Sequence, residues 1–176
     1  MVNKTLMAIL MAGTALTAQA AEHLHDESTA TTDLRFTENS GLLNTVNAVG
    51  TFESGLTDNG MQLAKGQLSI LSGTPSDIYE IIVKNGTDPV DTTYKNHPAR
   101  SIRLSGREDP NDSLRVSVVT DDSTTEGALD PNGTLIKSGG KTTIPYQVIA
   151  LDNVGDPQSV NPDTYTLKTV AVSWVE

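Results

Sequence analysis

The chain has 176 residues, no cysteine, and 12 Lys and Arg against 22 Asp and Glu, a formal net charge of −10. Such a surface repels phosphate backbones and anionic lipid, which argues against binding to nucleic acid or a membrane surface. Without disulfides, stability has to come from packing and sheet hydrogen bonds, and beyond the first 20 residues no apolar run approaches the roughly 20 needed to span a bilayer.

Lys4, the apolar stretch from Leu6 to Ala12 and then Ala18-Gln19-Ala20 are the charged, apolar and small-residue parts of a secretory signal, in order. Residues 1–20 are therefore expected to be a signal peptide, and the chain to be exported. What remains is the length of one domain with one sizeable core.

Residues 21–33 are polar, with Glu22, His23, His25, Asp26 and Glu27, and are poorly suited to nucleating a core. From Ser28 the pattern alternates. In an extended strand Ser28, Ala30, Thr32, Leu34 and Phe36 share one face, and Thr29, Thr31, Asp33 and Arg35 the other. By residue pattern alone this segment is either the first strand of the chain's own sandwich or a strand given to another molecule.

Period-two alternation then dominates, broken at short intervals by turn residues, which predicts an all-β antiparallel sandwich or barrel. Strands are expected at 45–52, 62–71, 78–84, 100–104, 114–120, 142–151 and 164–175, with a short one at 134–137 inside an exposed loop over 121–140. Asn59-Gly60, Asn85-Gly86 and Asn132-Gly133 offer positive-φ turn residues, and Pro75, Pro89, Pro98, Pro110, Pro131 and Pro157 fall between the apolar stretches. Pro145 interrupts a strand pattern and predicts an edge strand or a bulge.

In layout the chain resembles a fimbrial (pilus) subunit of the chaperone–usher class, of the cysteine-free kind. The resemblance rests on the signal, the segment Ser28-Thr29-Ala30-Thr31-Thr32-Asp33-Leu34, the many short strands and the ending Asn161-Pro162-Asp163-Thr164-Tyr165-Thr166-Leu167-Lys168-Thr169-Val170. In such subunits a small-residue turn, a Tyr and an alternating strand commonly close the domain. The chain departs from the best-known pattern by lacking the disulfide near the domain start and by carrying Asp163-Thr164 where Ala-Gly is usual.

The resemblance implies an incomplete immunoglobulin-like antiparallel β-sandwich, short of its seventh strand and completed by a donor strand from a neighbouring subunit. It divides the chain into the signal 1–20, a donor-strand extension 21–37 and a pilin domain 38–176. Ser28, Ala30, Thr32, Leu34 and Phe36 would face the neighbour's groove. The C-terminal strand would contribute Tyr165, Leu167, Val170, Val172 and Trp174. The implied partners are other pilin subunits, a periplasmic chaperone, an outer-membrane usher and a host-cell receptor, and the implied destination is a surface fimbrium. A monomeric exported binding module and a tip adhesin are the alternatives; against the latter, there is no second receptor-binding domain.

No enzyme site and no cofactor are expected. His23 and His25 lie in the polar extension, His97 stands beside Pro98 in an expected loop, and no nucleophile elbow places a serine. Cleavage after Ala20 would create the terminus Ala21-Glu22-His23, whose amine, amides and imidazole can form a square-planar nitrogen set for Cu(II) or Ni(II); His23 is the one metal candidate. Asp121, Asp122, Glu126 and Asp130 lack the spacing of a regular calcium loop.

Overall fold

The computed structural model describes residues 41–72, 77–120, 129–152 and 157–174. Eleven strands follow one another: β1 (Leu42–Ala48), β2 (Gly55–Thr57), β3 (Gln62–Ile70), β4 (Ile78–Val83), β5 (Thr87–Tyr94), β6 (His97–Ser105), β7 (Ser113–Val119), β8 (Gly133–Lys137), β9 (Thr143–Ala150), β10 (Gln158–Val160) and β11 (Thr169–Trp174). No helix occurs among the described residues. All pairings are antiparallel, in a six-stranded sheet ordered β1-β3-β9-β7-β6-β5, a three-stranded sheet ordered β11-β4-β8, and a ribbon of β10 and β2.

The alternation of apolar and polar residues explains how the two larger sheets meet. Leu68, Ile102, Leu104, Val116, Val118, Tyr146 and Val148 project from the six-stranded sheet, and Tyr79, Ile81, Val83 and Ile136 from the three-stranded one, into a single core. Leu68, Ile81 and Ile102 are fully buried. This is the expected all-β, immunoglobulin-like antiparallel sandwich.

Most expected strands form, and the differences have physical reasons. Pro145 lies in β9, which is flanked by β3 and β7 rather than at an edge. Ile70 N donates to Thr142 O, so alternate pairs of this ladder are bonded and the Gln67–Pro145 pair is not. The proline nitrogen therefore faces β7, whose pairing with β9 ends at Gln147. Pro98, expected between strands, sits in β6 outside the Ile102–Ser105 stretch that β7 pairs with, so no ladder needs its missing donor. His97 opens β6 rather than lying in a loop.

β2, β5 and β10 were not expected. Pro89 hides β5, which tolerates it as an edge strand with a register shift between Thr87 and Val90 and a positive φ at Asp88. A two-residue turn with positive φ at Lys95 and Asn96 joins β5 to β6. Of the three Asn-Gly pairs only Asn59-Gly60 uses the left-handed region, at Gly60. Gly86 and Gly133 are needed for space, because a Cβ there would strike Ile102 and Glu80 respectively.

Candidate acceptor groove

The first and last described strands lie near one another without pairing to each other. β1 pairs only with β3, and β11 only with β4, among the described strands. Val49 N donates to Leu63 O and Lys84 N to Lys168 O, which fixes the phase of both ladders. In that phase Asn44, Val46 and Ala48 turn their backbone N–H and C=O away from β3, and Thr169, Ala171 and Ser173 turn theirs away from β4. The same residues lie on the core side of their strands, where Val46 is buried and Ala171 packs against the core. Backbone hydrogen-bonding capacity and core-directed side chains thus coincide on both rims.

Edges of this kind invite pairing, and proteins usually block them with proline, charge or a bulge. β5, the far edge of the six-stranded sheet, has all three: Pro89, the shift beside it, and Asp88 and Asp91. β1 (LLNTVNA) and β11 (TVAVSW) have no proline and no charged residue.

A polar knot spans the floor between the rims. The Tyr146 hydroxyl donates to Asn44 Oδ1 at 2.8 Å, Asn44 Nδ2 donates to Thr169 Oγ1 at 3.1 Å, and the two hydroxyls of Tyr146 and Thr169 stand 3.4 Å apart. Tyr146 reaches this point from β9 because its cross-strand partner on β3 is Gly66. A Cβ at Gly66 would collide with the ring, so the missing side chain lets the tyrosine lie across β3 and present its hydroxyl beneath β1. Burial pushes the Tyr146 pKa up, against the opposing pull of its bonds to Thr169 and Asn44. It remains a neutral donor at physiological pH.

No protein-family model and no curated protein matches the chain. Solved structures do. A minor tip subunit of the E. coli Hda pilus, HdaB, superposes with a TM-score of 0.56 at 13% identity over 77% of this chain and 84% of that one. The Salmonella SafD adhesin gives 0.54 at 18% identity over 77% and 98%. AggB, the minor subunit of E. coli aggregative adherence fimbriae type I, gives 0.52 at 13% over 76% and 85%. The chain has the pilus-subunit fold.

Within this pilus-subunit fold, the residues singled out in the sequence fall in different places. Ser28, Ala30, Thr32, Leu34 and Phe36, and the metal candidate His23, lie outside the described residues. Leu167 packs against the core and shares its face with Thr169 and Ala171, which the sequence reading did not single out. Val170 and Val172 point to the opposite face of β11, both half-buried, and Trp174 is its last residue, opposite Ile78. Among the described residues no three His, Cys, Asp or Glu gather to hold a metal ion.

The expected strand from 164 to 175 begins only at Thr169, because side chains hold the preceding turn in place. Asn85 acts as a substitute strand, donating from Nδ2 to Thr166 O at 2.6 Å and accepting at Oδ1 from Lys168 N at 2.9 Å. Tyr165 bridges Gly106 and donates its hydroxyl to Asn161 O, four residues upstream, at 3.1 Å. This is the tyrosine corner of immunoglobulin-like domains. Burial, then the charges of Asp112 and Asp163, raise its pKa to about 12, so the donor is retained.

Asp163, 8% exposed, accepts backbone N–H groups from Arg107 and Glu108 at 3.0 Å and Asp109 at 2.9 Å, and from Thr164. These bonds, those from Asp109 and Glu108 foremost, hold its pKa below the usual carboxylate value despite an opposing contribution from burial. The residue that departs from the usual Ala-Gly therefore pins the loop between β6 and β7 to the approach of β11. A carboxyl depressed in the folded state stabilises above its unfolded pKa of about 4, and this contribution disappears as pH falls through the folded value. Asp163→Asn is expected to lower the thermal unfolding midpoint at pH 7. Scans repeated downwards from pH 4 should show the gap to the parent chain narrowing.

Proposed function

We propose that this chain is a structural subunit of an adhesive fimbria, assembled by donor-strand exchange, with residues 28–36 of one copy completing the groove between β1 and β11 of the next. The observation that carries the reading is the pair of unblocked, uncharged rims facing one another across the polar knot, in a molecule that blocks its β5 edge thoroughly. Nine extended residues reach about 30 Å at roughly 3.3 Å per residue, more than the length of either rim. Residues 1–20 direct export, residues 21–37 form the donor extension, and residues 38–176 form the acceptor domain.

An open groove with apolar walls and unmet backbone groups is costly in water. A periplasmic chaperone occupies it first, and strand addition at an outer-membrane usher replaces the chaperone with the extension of the incoming subunit. The product is a surface fibre without catalytic function or cofactor, displaying many copies for multivalent adhesion to a host-cell receptor.

The test compares the chain beginning at residue 21 with one beginning at residue 37. The longer chain is expected to form a ladder of detergent-resistant oligomers on unheated gels. The shorter chain should form none, yet accept a synthetic peptide of residues 25–40. Stable monomers from both, indifferent to the peptide, would instead establish a self-contained exported binding module.

A further inference from the structure

We propose that Asn44, Thr169 and the Tyr146 hydroxyl form a register gauge, selecting the hydroxyl of Thr32 from a second copy at the position directly over them; this rests on the donor-strand reading above. The knot sits in the core-facing row of both rims, where an incoming strand directs its alternate side chains. Its bonding capacity is not exhausted. Asn44 Nδ2 has two N–H groups and gives one to Thr169, while Thr169 Oγ1, which accepts from Asn44 and turns its proton to the Tyr146 oxygen, has a second lone pair.

In the open groove water can meet that remaining capacity, but a seated strand expels the water. A hydroxyl over the knot can accept from Asn44 and donate to Thr169. An apolar side chain there would leave a buried N–H of Asn44 and a lone pair of Thr169 without partners.

The sequence narrows the choice of hydroxyl. The inward row of the extension is Ser28, Ala30, Thr32, Leu34 and Phe36, and the rim of β1 continues from Asn44 to Val46 and Ala48. With Thr32 over Asn44 and the strands running in the same direction, Leu34 falls beside Val46 and Phe36 beside Ala48. Both bulky residues then bind within the rim, next to apolar neighbours. With Ser28 over Asn44, Leu34 and Phe36 would run past the end of β1. A slip of two residues puts Ala30 or Leu34 on the knot, and a slip of one turns the whole row outwards.

The chain from residue 21 is assembled as Thr32→Val, Thr32→Ser and unchanged, each with and without Thr169→Val in the acceptor, and the rate of detergent-resistant oligomer formation is measured. Thr32→Val, which keeps the shape and removes the hydroxyl, is expected to slow assembly roughly 10- to 100-fold, and Thr32→Ser to retain most of the rate. With Thr169→Val the penalty on Thr32→Val should shrink at least severalfold. Should that acceptor not fold, Asn44→Leu replaces it, with the same expectation.

Assembly of Thr32→Val at the unchanged rate, or a penalty as large in the apolar acceptor as in the parent, would overturn the gauge. Failure of donor-strand assembly itself looks different: the unchanged chain forms no oligomers, or forms them equally without residues 21–36.

Discussion

Ala30→Asp is expected to abolish fibre assembly while leaving the sandwich folded. In the donor-strand reading proposed above Ala30 belongs to the inward row with Thr32, so the new carboxylate would enter a groove walled by Val46, Leu167 and Ala171 with no cation among the rim residues to meet it. An uncompensated buried charge costs about 3–5 kcal/mol, and each 1.4 kcal/mol or so is a factor of ten in the equilibrium. Assembly should therefore fall by roughly 10²- to 4 × 10³-fold. In the donor-strand reading residue 30 fills the groove of another copy and not the core of its own subunit, so the thermal unfolding midpoint of the single subunit should stay where it was. Oligomer ladders resolved beside melting curves separate the two effects. A normal ladder from Ala30→Asp would show that the inward row had been assigned to the wrong residues.

Gly66→Val is expected to produce the largest loss of stability of any single change considered. The added side chain would occupy the space of the Tyr146 ring, which is 2% exposed and surrounded by core. Overpacking of this kind typically costs about 1–3 kcal/mol and occasionally more, and in a domain of this size each kcal/mol lowers the midpoint by roughly 2–4 °C. The tyrosine cannot step aside without releasing Asn44 and Thr169, so the groove floor should fail together with the core. Chemical denaturation would register the first effect. Peptide capture by the residual folded fraction would register the second. Pairing Gly66→Val with Tyr146→Ala should recover part of the midpoint, because the ring that is struck is then gone.

How much of this molecule was legible in the sequence depended on whether the information was periodic. β3, β7 and β9 could be placed within a residue or two because apolar residues largely alternate there with polar ones, and β4 because its apolar run Ile78-Tyr79-Glu80-Ile81-Ile82-Val83 is bounded by turn residues and buried on both faces. β5 could not be, since Asp-Pro reads as a turn until the strand is known to be an edge with a bulge. Pro145 misled in the opposite sense: its position relative to the end of β7 is a property of register, which is settled by three strands jointly.

The knot was harder still. Asn44, Gly66, Tyr146 and Thr169 are far apart in sequence, and each is unremarkable in its own segment. The one local signal was a glycine inside a strand pattern, which often marks a close approach by another group. Asp163 carried a second signal, as a departure from the usual small pair, but its purpose became readable only with the three successive N–H groups of Arg107, Glu108 and Asp109 turned towards it.

The edge formed by β5 bears on more than the isolated molecule. Pro89, the shifted register and the aspartates deny a neighbour any continuous ladder on that flank, so copies joined through β1 and β11 as proposed would find no second seam at β5. Growth in the proposed filament would then be favoured along the line of donor strands over sideways addition at β5.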